Sequence, residues 1–132
     1  MELFAPGAEV VRLESLLHNT DDASRPGLQL ALAWQLRQRD PARALALAAA
    51  LEAGLHAMPP PEADAVRARL QLIRAEDRHL QGAPDEARTQ AEAALARFAA
   101  LGDAVGQGDA LLLLTNVSRN QGDFAAAEVT TL

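Results

Sequence analysis

Three histidines, at positions 18, 56 and 79, are the residues of this chain best suited to bind a metal ion. Glu76 precedes His79 by three residues, a helical spacing at which the two side chains could share a metal. However, the chain has no cysteine, and no second histidine stands near this pair. A solvated or groove-lining histidine is therefore the favoured interpretation, and we predict no metal site and no cofactor.

Two pairs of adjacent acids, Glu76 with Asp77 and Asp85 with Glu86, raise the question of acid–base catalysis. Adjacent residues on a helix point about 100° apart, so the members of a pair rarely converge on one substrate atom. Asp85 and Glu86 also fall in a predicted first helical turn, where acids stabilise the helix dipole. We therefore predict that the chain is not an enzyme and has no catalytic residue.

Three further features have a simple structural interpretation. Gly106 and Gly108 are closely spaced, but a dinucleotide-binding fingerprint also needs a preceding strand and a third glycine. Trp34, the only tryptophan, falls on an apolar helix face, where core or interface packing is expected. Asp77 interrupts an apolar stripe, and we expect it to pair with Arg74 or Arg78 or to face a groove.

Composition excludes several classes of function. The net charge is −6 and all twelve basic residues are arginine, so the chain lacks the basic stripe that nucleic acids and anionic membranes require. The longest apolar run, residues 44–51, is too short for a membrane span of about 20 residues. Residues 1–6 do not resemble a signal peptide. We therefore predict a cytoplasmic protein that binds neither nucleic acid nor membrane.

Alanine and leucine dominate the sequence, and both favour helix. Turn and cap residues divide the chain into helices, with Ser24, Asp40 and Asp103 as expected N-caps and with Gly82, Gly102 and Gly122 as expected helix ends. Residues 59–61, three prolines, separate the third and fourth helices. The predicted helices cover residues 8–18, 24–39, 41–57, 62–81, 84–101, 103–122 and 123–132.

Two similar segments, residues 80–87 and 120–127, lie forty positions apart, and residues 39–44 are a weaker copy. Repetition at such a period is typical of stacked helical units that bury their apolar faces against their neighbours. We predict buried Leu112 and Leu114 in the third unit, and a positive φ at Gly122. Because the last helix stops without a cap, we expect either a piece of a longer protein or an end that pairs with another copy.

The repeat unit resembles the tetratricopeptide repeat, in which a turn reading Gly-Asp-aromatic joins two helices and small residues follow. Three groups of residues carry the resemblance: Gly122, Asp123, Phe124 and Ala127; Gly82, Ala87 and Ala94; and, more loosely, Asp40, Ala44 and Leu51. The spacing exceeds the family's period of about 34 residues, and its first-helix Trp, Leu-Gly and Tyr are not met. The resemblance implies an all-α superhelical array of helix–turn–helix repeats over residues 24–132, with units 24–58, 62–101 and 103–132. Residues 1–23 would form a capping helix and linker.

Two phrases, residues 36–45 and 100–111, resemble the N-terminal regions of bacterial signalling proteins. These include large transcriptional activators and diguanylate cyclases with GGDEF-type output domains. The resemblance implies a regulatory segment that mediates protein–protein contact or self-association, with a protein, a peptide or a second copy as partner. The alternative is a sensor that binds a small ligand or peptide in a concave groove.

In the usual superhelix the first helix of each unit lines the concave side. The predicted groove contacts of the second and third units are Arg69, Leu72, Glu76, His79, Leu112, Asn116, Arg119 and Asn120. From the first unit, Gln29, Ala33 and Leu36 would join them. This mixture of apolar, amide and charged groups suits an extended peptide or a partner helix. Lysine, which the carboxylate-clamp repeats use, is absent, but Asn116 and Arg119 could hold an acidic group.

Overall fold

A computed structural model shows an all-helical chain. It describes the backbone of residues 6–131 and the side-chain surroundings of residues 7–122, and the described residues contain no β-strand. The helices, in chain order, are α1 (Pro6–His18), α2 (Arg25–Leu36), α3 (Pro41–Ala53), a 3-10 turn (Leu55–Ala57), α4 (Pro60–Leu80), α5 (Pro84–Leu101) and α6 (Ala104–Thr131). The predicted all-α class is confirmed. None of the described helices has the length and apolarity that a membrane span requires.

The chain divides into two compact units, Met1–Val66 and Arg67–Leu132, and the boundary falls within α4. In the first unit, α2 packs against both α1 and α3. Its buried apolar residues include Leu13 from α1, Leu32 and Leu36 from α2, and Leu51 from α3. In the second unit, α5 packs against α6, and Phe98 is its largest fully buried side chain.

Acidic N-caps begin two of the helices as the sequence predicts. Oδ1 of Asp40 accepts a hydrogen bond from the Arg43 backbone N–H at 3.2 Å, and Oδ1 of Asp103 accepts one from the Gly106 N–H at 2.9 Å. Each bond satisfies a donor that the first helical turn leaves unpaired. Ser24 occupies the predicted N-cap position of α2, but its side chain makes no capping hydrogen bond.

Left-handed glycines end α4 and α5. Gly82 has φ +76° and Gly102 has φ +71°, a region that glycine enters without a Cβ clash. The next amide turns back to a carbonyl five residues earlier in each case: Ala83 N–H to Arg78, and Asp103 N–H to Phe98, both at 2.9 Å. These bonds form the Schellman motif and confirm both predicted helix ends.

The predicted helix end at Gly122 is wrong. α6 runs without interruption from Ala104 to Thr131, and Gly122 has no positive φ. The turn that would divide a third unit of 103–132 into two helices is therefore absent. The side chains of the motif residues Phe124 and Ala127 lie outside the residues that the structure describes.

The face that α6 buries also differs from the prediction. Gly106, Ala110, Leu113 and Val117 are buried, a spacing of four, three and four residues that makes one helical stripe. Leu112 is 60% exposed, so its predicted burial is wrong, and Leu114 is only half-buried. The reason is at Gly106, whose missing side chain leaves room for the ring of Phe98 and so fixes which side of α6 faces α5.

Candidate interaction surface

Within the second unit, α5 runs antiparallel to α4, because contacts join opposite ends of the two helices. Arg97 Nε of α5 donates to Gln71 Oε1 of α4 at 2.8 Å. At the other end, Arg78 Nη1 lies 3.6 Å from Glu86 Oε2. Gln71 and Arg78 therefore mark the line of α4 that faces α5.

α4 and α6 lie side by side and run parallel. Arg69 Nη1 of α4 donates to Asp109 Oδ2 of α6 at 2.7 Å, and both side chains are largely buried. About ten residues further along, His79 Nε2 lies 3.4 Å from Asn120 Nδ2. The two contacts join residues 40 and 41 positions apart, so the spatial register of α4 and α6 equals the sequence period of about forty residues.

A small-large-small stripe of α4 is buried between these two contact lines. On a helix that turns about 100° per residue, Ala68, Leu72 and Ala75 fall between the positions that contact α5 and those that contact α6. All three are buried, and Leu72 is 1% exposed. This face of α4 is therefore closed by the helices that follow it in the chain.

The equivalent stripe of α6 is open. Forty residues after Ala68, Leu72 and Ala75 the sequence has Gly108, Leu112 and Thr115, and all three are exposed. Val105 and Leu111, which lie on the same side, are 72% and 51% exposed. We call these five residues the outer face of α6. None of these five residues is charged, and the exposed Arg119 continues the same stripe one turn after Thr115.

The structure separates the predicted groove contacts into four groups. Leu72 and Glu76 are buried, so they belong to the packing of α4 and are closed to a ligand in this structure. Leu112 lies on the outer face of α6. Arg69 is engaged with Asp109 and also lies over the ring of Phe98, 4.9 Å from its centroid.

The remaining predicted contacts gather at the C-terminal end of α4. His79 and Asn120 meet there, and Arg119 hydrogen-bonds to Asn116 within α6. This cluster is accessible, and its binding of an acidic group stays a prediction. In the first unit, Ala33 and Leu36 are buried and Gln29 is half-buried, so the predicted line of contacts is largely closed there.

Asp77 is buried and structural. Arg78 Nη2 donates to its Oδ2 at 2.7 Å, which confirms one of the two predicted pairings. The hydrogen bond that Arg78 donates to Asp77 raises the pKa of Arg78 above its usual value. The buried carboxylate is therefore held by an adjacent cation.

The other candidate residues are separated. No group of three histidine or acidic side chains converges in a way that would hold a metal ion among the described residues. Trp34 is half-buried, and the guanidinium of Arg37 stacks 3.7 Å from the centroid of its ring system. Of the three histidines, His56 is exposed and His18 lines a cavity in the first unit.

That cavity has a volume of about 400 Å³ and lies among α1, α2 and α3. The buried Leu32 is part of its wall, and the charged groups Glu14, Arg25 and Arg43 line it with His18. Arg43 Nη1 donates to Glu14 Oε1 at 2.9 Å, and Arg25 Nε lies 3.9 Å from the exposed Asp22. The cavity therefore presents two guanidinium groups beside an apolar surface.

Comparison with known proteins found no match among family models, curated proteins or solved structures. The resemblance to tetratricopeptide repeats therefore rests on the sequence motifs, and it stays a prediction.

Proposed function

We propose that this chain is a protein–protein interaction or self-association module, built from tetratricopeptide-like repeats, that forms a regulatory segment of a larger cytoplasmic bacterial signalling protein. A diguanylate cyclase with a GGDEF-type output domain is the parent that the sequence phrases favour. The observation that carries the proposal is the exposed, uncharged outer face of α6.

Burial of that face is energetically favourable. Val105, Leu111 and Leu112 are each more than half exposed, and about 25 cal/mol is gained for each Å² of apolar surface removed from water. Interface cores are depleted in charged residues, and the outer face has none. A contiguous exposed apolar patch of this kind is typical of a binding surface.

The proposal assigns no chemistry to the polar residues of the second unit, because most of them hold helices together. Arg69 links α4 to α6, and Arg97 links α5 to α4. We therefore propose a binding role rather than an enzymatic one, with no nucleic acid or membrane as partner.

Sedimentation velocity over a wide range of protein concentrations tests the self-association form of the proposal. We expect the mean mass to rise with concentration for the wild type and to stay monomeric for Leu112→Arg. Val11→Arg is the matched control, since Val11 is 67% exposed on α1, a helix of the first unit. A wild type that stays monomeric at every concentration would reject self-association.

A second candidate function, small-ligand sensing, is favoured by the cavity of the first unit. Its volume is within the lower range of ligand sites, and Arg25 and Arg43 could bind a carboxylate or phosphate beside Leu32. A ligand present at 100 times its dissociation constant should stabilise the chain by about 2.7 kcal/mol. Thermal melting with small organic acids and phosphates, on the wild type and on Arg43→Ala, tests this function. A stabilisation that Arg43→Ala retains would place the ligand elsewhere.

A further inference from the structure

We propose that the cavity of the first unit binds a small monocarboxylate with an apolar body, and that Arg25 holds its carboxylate. This inference rests on the second candidate function, ligand sensing, and it specifies the chemical class of the ligand. It follows from the charged groups and the apolar surface that α1, α2 and α3 bring together in one concavity.

The wall of the cavity favours a ligand with a single negative charge. Its ionised groups are the guanidiniums of Arg25 and Arg43 and the carboxylate of Glu14, a net charge of +1 when His18 is counted as neutral. The chain as a whole has a net charge of −6, so this concavity is opposite in sign to the protein around it. One carboxylate neutralises the wall, whereas a phosphate dianion would place an excess negative charge beside Glu14.

The two arginines of the wall differ in how firmly their present partners hold them. Arg43 Nη1 donates to Glu14 Oε1 at 2.9 Å, so this hydrogen-bonded pair joins α3 to α1. Arg25 Nε lies 3.9 Å from Asp22 Oδ1, which is longer than a hydrogen bond, and the side chain of Asp22 is fully exposed to competing water. Arg25 is therefore the guanidinium that a ligand engages at the smaller cost.

Two leucines form the apolar part of the wall. Leu32 of α2 is 1% exposed, and Leu17 of α1 is half-buried. Leu32 follows Arg25 by seven residues, about two helical turns, so both side chains lie on the same side of α2 with an axial separation of about 10 Å. A ligand whose carboxylate binds Arg25 therefore extends its apolar body along α2 to Leu32, which removes apolar surface of both from water.

Phenylacetate is the test ligand, because it joins one carboxylate to a compact apolar ring. Three compounds are matched to it: phenylacetamide lacks the charge, acetate lacks the ring, and inorganic phosphate has more charge and no ring. Each compound is titrated into the isotope-labelled full chain, and the amide chemical shifts measured by NMR report both the affinity and the place of binding. We expect phenylacetate to saturate with a Kd of about 1 mM or tighter and to shift residues 14–18, 25–32 and 43, and we expect the other three to bind about tenfold more weakly or not at all.

Three variants assign the residues of the wall. Arg25→Gln removes the proposed partner of the carboxylate and should weaken phenylacetate binding by about tenfold or more. Glu14→Gln removes the negative charge of the wall and releases Arg43, so binding should tighten by about threefold or more. Arg12→Gln is the matched control, because Arg12 pairs with Glu9 and lies on the side of α1 opposite Glu14, and we expect it to leave the affinity unchanged. Circular dichroism checks that each chain stays helical.

The carboxylate inference and ligand sensing fail in different ways. The inference is overturned if phenylacetate does not bind, if phenylacetamide binds as tightly, or if Arg25→Gln leaves the affinity unchanged. Phosphate that shifts the cavity residues when phenylacetate does not would overturn the inference and leave ligand sensing standing. If none of the four compounds shifts the cavity residues and no organic acid or phosphate raises the melting temperature, both are rejected. The interaction module is tested separately by sedimentation and does not depend on these results.

Discussion

α4 and α6 are parallel neighbours within the second unit, and their surroundings differ. They run parallel at an offset of about forty residues, and the Arg69–Asp109 and His79–Asn120 contacts join them at both ends. The leucine of the small-large-small stripe is 1% exposed in α4, where it is Leu72, and 60% exposed in α6, where it is Leu112. The same pattern is therefore core in one helix and surface in the other, and the difference is the presence of a covering helix.

Replacing Leu72 by alanine should have the largest effect on stability, and replacing Leu112 should have almost none. Leu72→Ala should destabilise the chain by about 2–5 kcal/mol, because it leaves a cavity in a packed face. Leu112→Ala should change the free energy of unfolding by less than about 0.5 kcal/mol, because the side chain is already exposed to water. Urea unfolding followed by circular dichroism measures both. Equal losses at the two positions would mean that the outer face is covered.

Two glycines of α6 provide the next comparison. A Cβ at Gly106 would overlap the buried ring of Phe98, so Gly106→Ala should cost about 1–3 kcal/mol. A Cβ at Gly108 would meet nothing, so Gly108→Ala should stabilise the chain by roughly 0.4–1 kcal/mol. Thermal unfolding of the two variants gives the sign of each change. A loss at Gly108 would place another element against the outer face.

Gly102 ends a helix and Gly122 lies inside one, so alanine at these two positions should change the stability in opposite directions. Gly102 has φ +71°, and Gly102→Ala should destabilise by about 1–2 kcal/mol. Gly122 lies inside α6 and is exposed, so Gly122→Ala should stabilise by roughly 0.5–1 kcal/mol. Chemical unfolding of both variants, compared with the wild type, tests the continuity of α6. Destabilisation by Gly122→Ala would contradict a continuous α6 and would support the turn that the repeat motif predicts at this position.

The smallest expected effect concerns the ion pair that fixes the register. Asp109→Asn removes the charge that Arg69 binds at 2.7 Å and should cost about 0.2–1 kcal/mol. Glu9→Gln is the control, since Glu9 pairs with Arg12 within the single helix α1, and we expect a smaller loss there. If Asp109→Asn has no effect at low salt, the pair does not hold α4 and α6 together.

The sequence predicts the helix limits well where a single residue decides them. Asp40, Asp103, Gly82 and Gly102 act as caps or helix ends through their own side chain or backbone, so local chemistry is sufficient. Ser24 makes no capping bond because its backbone, at φ −89° and ψ −12°, is in the helical region and not in the extended region that a capping side chain needs.

The sequence predicts α6 poorly because tertiary packing decides its structure. The run Leu111–Leu114 is apolar on every side, so hydrophobicity alone cannot select the buried face. The small residues Gly106 and Ala110 determine the buried face, because they leave room for α5 to pack closely against α6. Gly122 follows the turn motif, but a glycine inside a helix costs only about 1 kcal/mol, which the rest of a long helix can offset.

The outer face was found only in part from the sequence. Leu112 was expected to contact a ligand in a groove together with Leu72, its equivalent in the second unit. The structure places these two leucines in opposite environments, because Leu72 is buried in the second unit and no described helix covers Leu112. The exposure of a side chain depends on which helix packs against it, and the period of a repeat does not specify the packing partner.

The most direct test of the account is the reactivity of a single introduced thiol, which is clean because the chain has no cysteine. Leu72→Cys and Leu112→Cys are labelled with a thiol reagent under native conditions. The account predicts rapid labelling of Leu112→Cys and slow labelling of Leu72→Cys. Equal labelling rates for the two variants would contradict it.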